Sequence, residues 1–191
     1  MAAEINPATE AALLKRTIQG EQQAFGALYE HYLDQIYRYV FYRVGNASEA
    51  EDLTEVVFLK AWQALRRQSA AKANVQNFRA WLFRIAHNAV IDHYRSNNPE
   101  VPLDQVTQMK DSQLAPEAQL VANQRSQRLA QVMAKLEPNL QQVLTCRFIN
   151  QLSHAETAQI MGISEANARV LQHRALKLMH GLMTESSEAN E

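Results

Sequence analysis

Apolar residues recur along this chain at intervals of three and four and nowhere alternate over a run long enough for a strand, so the pattern predicts helices throughout. Leu13, Leu14 and Ile18 mark a short first helix that Thr9 can cap and Gly20 ends. Phe25, Leu28, Tyr29, Tyr32, Ile36, Tyr39 and Val40 keep the period as far as Gly45-Asn46, a pair suited to closing a helix. Ser48 and Glu51 form a capping box for a third helix with apolar positions Leu53, Val57, Ala61 and Leu65. Phe58, Leu59 and Trp62 lie off that stripe and give this helix more apolar surface than one buried face requires.

Residues 66–76 have no period and read as a basic, polar loop, after which Asn77 can cap a helix beginning at Phe78. That helix, FRAWLFRIAHNAVIDHYR, mixes large aromatics, cations and amides. Phe78, Leu82, Ile85 and Ala89 can face a core, while Arg84, His87, Ile91 and Arg95 fall on another side. Trp81 and Asn88 stand two turns apart, so a stacking plane and a bidentate amide can approach one unstacked base. The next stretch contains three prolines and little periodicity and reads as an interdomain linker.

Pro116 suits the first turn of a helix through Leu120, Leu129, Val132, Met133 and Leu136, which Glu137-Pro138 breaks. Leu140, Val143, Leu144 and Phe148 make the next helix. A second capping box, Ser153 and Glu156, opens a short helix that ends at Met161-Gly162. Ser164 then caps a last helix that carries Ala168, Leu171, Ala175, Leu178 and Leu182 inward, with an acidic tail over residues 184–191. Short helix, glycine turn and longer helix over about 153–178 form a helix-turn-helix. The polar residues outside its inward stripe, Glu165, Asn167, Arg169, Gln172, His173, Arg174 and Lys177, are available to a duplex.

Composition agrees with an all-helical chain: the 191 residues hold only 5 Gly and 5 Pro. The net charge of −1 conceals two basic islands. Residues 66–96 hold 6 basic and 1 acidic groups and residues 147–181 hold 4 and 2, whereas residues 1–65 hold 5 and 9. Two basic islands therefore sit between acidic flanks, and the distribution of charge matters more than its sum. The single cysteine, Cys146, excludes an internal disulfide and reads as a small buried hydrophobe. His87, Asp92, His93, Cys146, His154 and Glu156 show no zinc-ligand spacing, and His154-Ala-Glu156 has no paired cysteines to complete a deaminase motif. The expectation is a cytosolic protein without membrane insertion, catalytic residues, cofactor or metal.

In its ordered set of motifs the chain resembles the extracytoplasmic-function type of bacterial RNA polymerase sigma factor, group 4 of the sigma-70 family. AFGALYEHYLDQIYRYVFYRV resembles region 2.1, SEAEDLTEVVFLKAWQAL region 2.2, FRAWLFRIAHNAVIDHYRSN regions 2.3 and 2.4, and LEPNLQQVLTCRFINQLSHAETAQIMGISEANARVLQHRALKLM region 4. The resemblance implies an all-α protein with a region 2 domain over residues 1–96, a flexible linker over 97–115, and a region 4 domain over 116–183. Asp52, Glu55, Phe58, Leu59 and Trp62 would then dock on the clamp helices of the polymerase β′ subunit. Arg66, Arg67, Lys72, Asn74, Trp81, Arg84, His87, Asn88 and Arg95 would hold and melt the minus-10 element. Asn167, Arg169, Gln172, His173, Arg174 and Lys177 would read the minus-35 element, with region 4 also meeting the β flap. A separate anti-sigma protein is implied as regulator. Glu55-Val56 stands where many members carry Gln-Glu, and Ala168 and Leu171 where many carry Val and Arg. Taken without the resemblance, the residues also fit a stand-alone helix-turn-helix regulator or a helical adaptor.

Overall fold

The structure, a computed structural model, describes residues 5–67, 77–97 and 120–188, and among these residues there is no strand. Helix α1 spans Pro7–Ile18, α2 Gln22–Val44, α3 Ala47–Arg67 and α4 Phe78–Asn97. In the second half α5 spans Leu120–Met133, α6 Pro138–Leu144, α7 His154–Met161 and α8 Glu165–Glu188. Pro116, the expected linker from residue 98 on, and Lys72 and Asn74 lie outside the described residues.

Local chemistry sets the helix ends. Asn6, not Thr9, caps α1: its Oδ1 accepts the Thr9 N–H at 2.8 Å, with Pro7 pre-set in the first turn. Asn46, not Ser48, caps α3 by accepting the Glu49 N–H at 3.1 Å. In both cases an asparagine slightly upstream takes the orphan amide first. Gly45, left-handed at φ 75°, closes α2, so the connection to α3 is only two residues long. Asn77 caps α4 as expected, its Oδ1 accepting the Ala80 N–H at 2.9 Å. The Ser153 and Glu156 capping box is fully formed, and Gly162 makes the helix-turn-helix turn at φ 67°. Ser164 Oγ accepts the Asn167 N–H at 3.2 Å and starts α8, which continues to Glu188 through much of the expected tail.

The first half closes around Leu28, Ile36, Tyr39, Val57, Leu65, Leu82 and Phe83, with α1 laid along α2. The second half closes around Met133, Leu136, Leu140, Val143, Ala175 and Met179. The inward register of α8 differs from expectation at one position. Leu178 is 51% exposed and Met179 8% exposed, because the helix advances four residues from Ala175 rather than three. Phe148 is also exposed, since the backbone widens into a π-helical turn over Thr145–Ile149 and rotates the later side chains away from the α6 face.

The two halves are docked on each other. Cys146, Leu152 and Ile160 of the second half join the first core, and Tyr42 of α2 joins the second.

Urea unfolding tests the α8 register directly. Met179→Ala should lower stability by about 2 kcal/mol, and Leu178→Ala by less than about 0.5 kcal/mol. Ser153→Ala, which removes the cap of α7, should cost about 1 kcal/mol.

Candidate nucleic-acid interface

On α3 the residues at 52, 55, 56 and 59 share one outer face. Asp52, Glu55, Val56 and Leu59 are all exposed there, Leu59 to 56%. Acidic groups beside aliphatic ones, on a helix already held by a core on its other side, make a surface suited to a partner with cations and apolar pockets. Val56 was missed in the sequence because it breaks the buried period without being aromatic. Phe58 is a correction: expected on this surface, it is only 4% exposed and packs edge-on against Tyr29 at 4.6 Å. It holds α3 to α2 from inside. Trp62 is half-buried against Phe25, ring centroids 4.9 Å apart, and carries the Arg66 guanidinium over its outer face at 5.5 Å.

Trp81, Arg84, Asn88 and Arg95 line a second stripe along α4. Arg84, Asn88 and Arg95 are exposed, and Trp81 is half-buried against Phe78 with ring centroids 5.6 Å apart. Phe78 in turn packs on Tyr32, so the indole rests on a fixed aromatic floor and keeps one side toward solvent. Arg66 and Arg67 at the exposed end of α3 add two cations before the segment 68–76. A stacking ring, an amide and several cations are the parts a single-stranded nucleic acid needs.

His87 does not join that stripe. Its ring faces the second half, where Gln142 Nε2 donates to Nδ1 at 2.9 Å. Burial, with Arg43 and Arg84 nearby, lowers its pKa to about 4. At neutral pH it is therefore an uncharged ring in an internal contact rather than a phosphate clamp.

The third stripe is on α8, where Asn167, Arg169, His173, Arg174 and Lys177 are exposed from the helix N-terminus onward. Arg169 is paired with Glu165 at 3.1 Å, a surface contact that a phosphate can replace at small cost. Gln172 is another correction. Its Oε1 accepts from Arg147 Nε at 3.0 Å and meets His154 Nε2 at 3.0 Å, so it ties α8 to α7 and to the π turn. Arg147 also donates to the Leu152 carbonyl. This small network sets the angle at which α8 leaves the turn. Distant partners, invisible in a local pattern, claim both His87 and Gln172.

Burial pushes the Cys146 thiol up to about 12, which leaves it without nucleophilic thiolate at neutral pH. Burial also raises Glu156, but the Ser153 N–H and hydroxyl, helped by Arg79, carry it below the usual carboxylate range. Among the described residues no three His, Cys, Asp or Glu side chains come together as a metal site, and no helix is long and apolar enough to cross a membrane.

Comparison with known proteins shows which family the chain belongs to. The profile Sigma-70 region 2 matches residues 28–100, and Sigma-70, region 4 matches residues 126–179. The chain belongs to the sigma-70 family. Within it, the chain is 36% identical over 188 residues to the ECF RNA polymerase sigma factor BldN of Streptomyces coelicolor, covering 97% of this chain and 70% of the relative. It is 28% identical to the ECF RNA polymerase sigma factor SigW of Bacillus subtilis, over 84% of this chain and 89% of that one. Its fold resembles that of CnrH in complex with the cytosolic domain of CnrY, with a TM-score of 0.72 at 22% identity over 93% of this chain and 98% of that one. RpoE of Bartonella quintana, solved with the anti-sigma factor NepR, gives a TM-score of 0.63 at 20% identity, covering 82% and 96% of the two chains. The protein is thus a sigma factor of the extracytoplasmic-function type, with no catalytic activity of its own.

The low pKa of His87 fixes a sign. The folded sigma factor refuses a proton that the unfolded chain takes up, so stability is full above about pH 6.5 and falls as pH drops toward 4. Between pH 7 and pH 5 wild type should lose about 1–2 kcal/mol more stability than His87→Gln, as read by urea unfolding.

Proposed function

We propose that this sigma factor, which supplies RNA polymerase with promoter specificity, uses its three exposed stripes for three separate contacts. The observation that carries this reading is their separation: acidic and aliphatic on α3, aromatic and cationic on α4, cationic and amide on α8. The α3 stripe, Asp52, Glu55, Val56 and Leu59, docks on the β′ clamp helices, with Phe58 and Trp62 bracing it. The α4 stripe, Trp81, Arg84, Asn88 and Arg95, with Arg66 and Arg67, takes the opened minus-10 strand. Unstacking a base costs a few kcal/mol, which a stacking ring and an amide can return.

The α8 stripe enters the major groove at the minus-35 element. Asn167 and Arg174 suit base edges, while Arg169 and Lys177 suit phosphates. His173 lies beside Arg174 on that exposed face. The exposed apolar positions Leu176 and Met183 of α8, which share a face away from Val170, Arg174 and Lys177, suit contact with the β flap. Residues 1–96 and 116–183 are the two functional domains, and 97–115 is the tether that turns two weak DNA contacts into one strong one once polymerase fixes their spacing. The regulator is a separate anti-sigma protein, supported by the RpoE relative solved with NepR.

Run-off transcription with core RNA polymerase on genomic promoter fragments tests this reading. The protein should direct initiation at discrete start sites, and Asp52→Ala with Leu59→Ala should reduce initiation at least tenfold without loss of helix content. Initiation that is unaffected by these changes would remove the α3 stripe from the polymerase contact. Lys177→Ala should weaken binding about equally at all promoters and reduce the salt slope of log K by about 1.

A further inference from the structure

One large side chain in the exposed stripe of α8 has no hydrogen-bonding group. Val170 is 56% exposed and belongs to neither core. A β-branched residue loses rotamer freedom on a helix, and here no burial within the protein offsets that loss. Its neighbours one turn away are Ala166 and Asn167 before it and His173 and Arg174 after it. All four are exposed. Val170 and Ala166 therefore form a narrow apolar strip, with Asn167 and Arg174 on one side of it and Arg169 and His173 on the other.

The other exposed apolar residues of α8 are placed differently. Leu176 and Met183 lie on another face, and Leu178 lies two turns farther along. The orientation of Val170 is also fixed from beneath. Ala168 and Ala175 are buried, and Gln172 is held by Arg147 and His154, so α8 presents the valine outward in one register.

What such a residue can read follows from the chemistry of the major groove. Guanine, cytosine and adenine present only donors and acceptors there, whereas thymine adds its C5 methyl, the one apolar group among the four base edges. A valine offers two methyls and no hydrogen bond. Against thymine it buries methyl on methyl. Against any other base it strips water from a donor or acceptor and returns nothing.

We propose that Val170 reads a thymine methyl within the minus-35 element and so sets the base preference at one position of the promoters this sigma factor selects. This rests on the reading of α8 given above and adds the identity of one base. The polar groups of the stripe do not supply that identity: Asn167 suits adenine and Arg174 suits guanine, and the valine stands between them along the helix.

The test uses the full-length protein assembled with core RNA polymerase. Duplexes carrying one promoter found by run-off transcription, randomised over the minus-35 element, are selected for binding by wild type, Val170→Ser and Val170→Ala. Circular dichroism verifies helix content. Wild type should enrich thymine at one position about tenfold over the other bases. Val170→Ser, whose hydroxyl can donate or accept, should lose that preference while the other enriched positions persist. Val170→Ala, which keeps a single methyl, should retain part of it. Replacing that thymine by deoxyuridine in the enriched duplex removes the methyl alone. This should weaken wild-type binding about fourfold, the effect of one buried methyl, and leave Val170→Ser binding unchanged.

Wild type that binds the deoxyuridine duplex as well as the thymidine one, or Val170→Ser with the wild-type base preference, would overturn the proposal. So would a uniform loss at every position, which would make Val170 a support for the helix rather than a reader of a base. If Arg174→Ala loses base preference while the changes at Val170 and the thymine have no effect, the minus-35 reading of α8 stands and thymine recognition by Val170 fails. Absence of any base preference at the minus-35 element in wild type would overturn both.

Discussion

A guanidinium buried between two helical bodies is the constraint from which most of this structure follows. Taking the Arg43 charge out of water is expensive unless oxygen atoms surround it, and here the Pro138 carbonyl and the Gln141 amide supply them from the other half. The Tyr94 hydroxyl donates to the Arg43 carbonyl at 2.6 Å and fixes the end of α2 against α4. Because the acceptors belong to the start of α6, the second half can seat in only one position. The site of Gln142 against His87, and of Asn150 against Arg79, then follows from helix geometry.

That position divides the surface. Facing the seam are groups engaged across it, as with His87, whose basicity is suppressed by burial and by two nearby guanidinium groups. What faces away carries the free groups: Arg84, Asn88 and Arg95 on α4, and His173, Arg174 and Lys177 on α8. A sigma factor needs this division, since a group already satisfied inside the protein has little to give a phosphate or a base.

The same logic explains the helix-turn-helix. Its short α7 could not hold a 24-residue α8 by backbone alone. The capping box, the left-handed Gly162 and the Arg147, Gln172 and His154 network fix the angle between them. Rigid support under α8 is what the proposed reading of base edges by a few polar side chains requires.

Among the described residues the α-helices and most of their ends were written in the sequence, because periodicity and caps are local properties, whereas the π-helical turn over Thr145–Ile149 was not. Asn77, the Ser153 box, Gly45 and Gly162 act within one turn of where they stand. The α4 and α8 stripes were legible for the same reason, whereas on α3 the pattern offered Leu59, the family resemblance implied Asp52 and Glu55, and Val56 came from neither. The errors fell where a side chain answers to something far along the chain. Phe58 was claimed by Tyr29, Gln172 by Arg147 and His154, and His87 by a glutamine 55 residues away. The α8 register turned on one residue, because a period of 3.6 permits a step of three or four and only the opposing core selects Met179 over Leu178. The sequence alone therefore determined which helices form and what chemistry they carry. Only the tertiary structure decided which of those groups remain free, because burial and long-range hydrogen bonds depend on how the two halves meet.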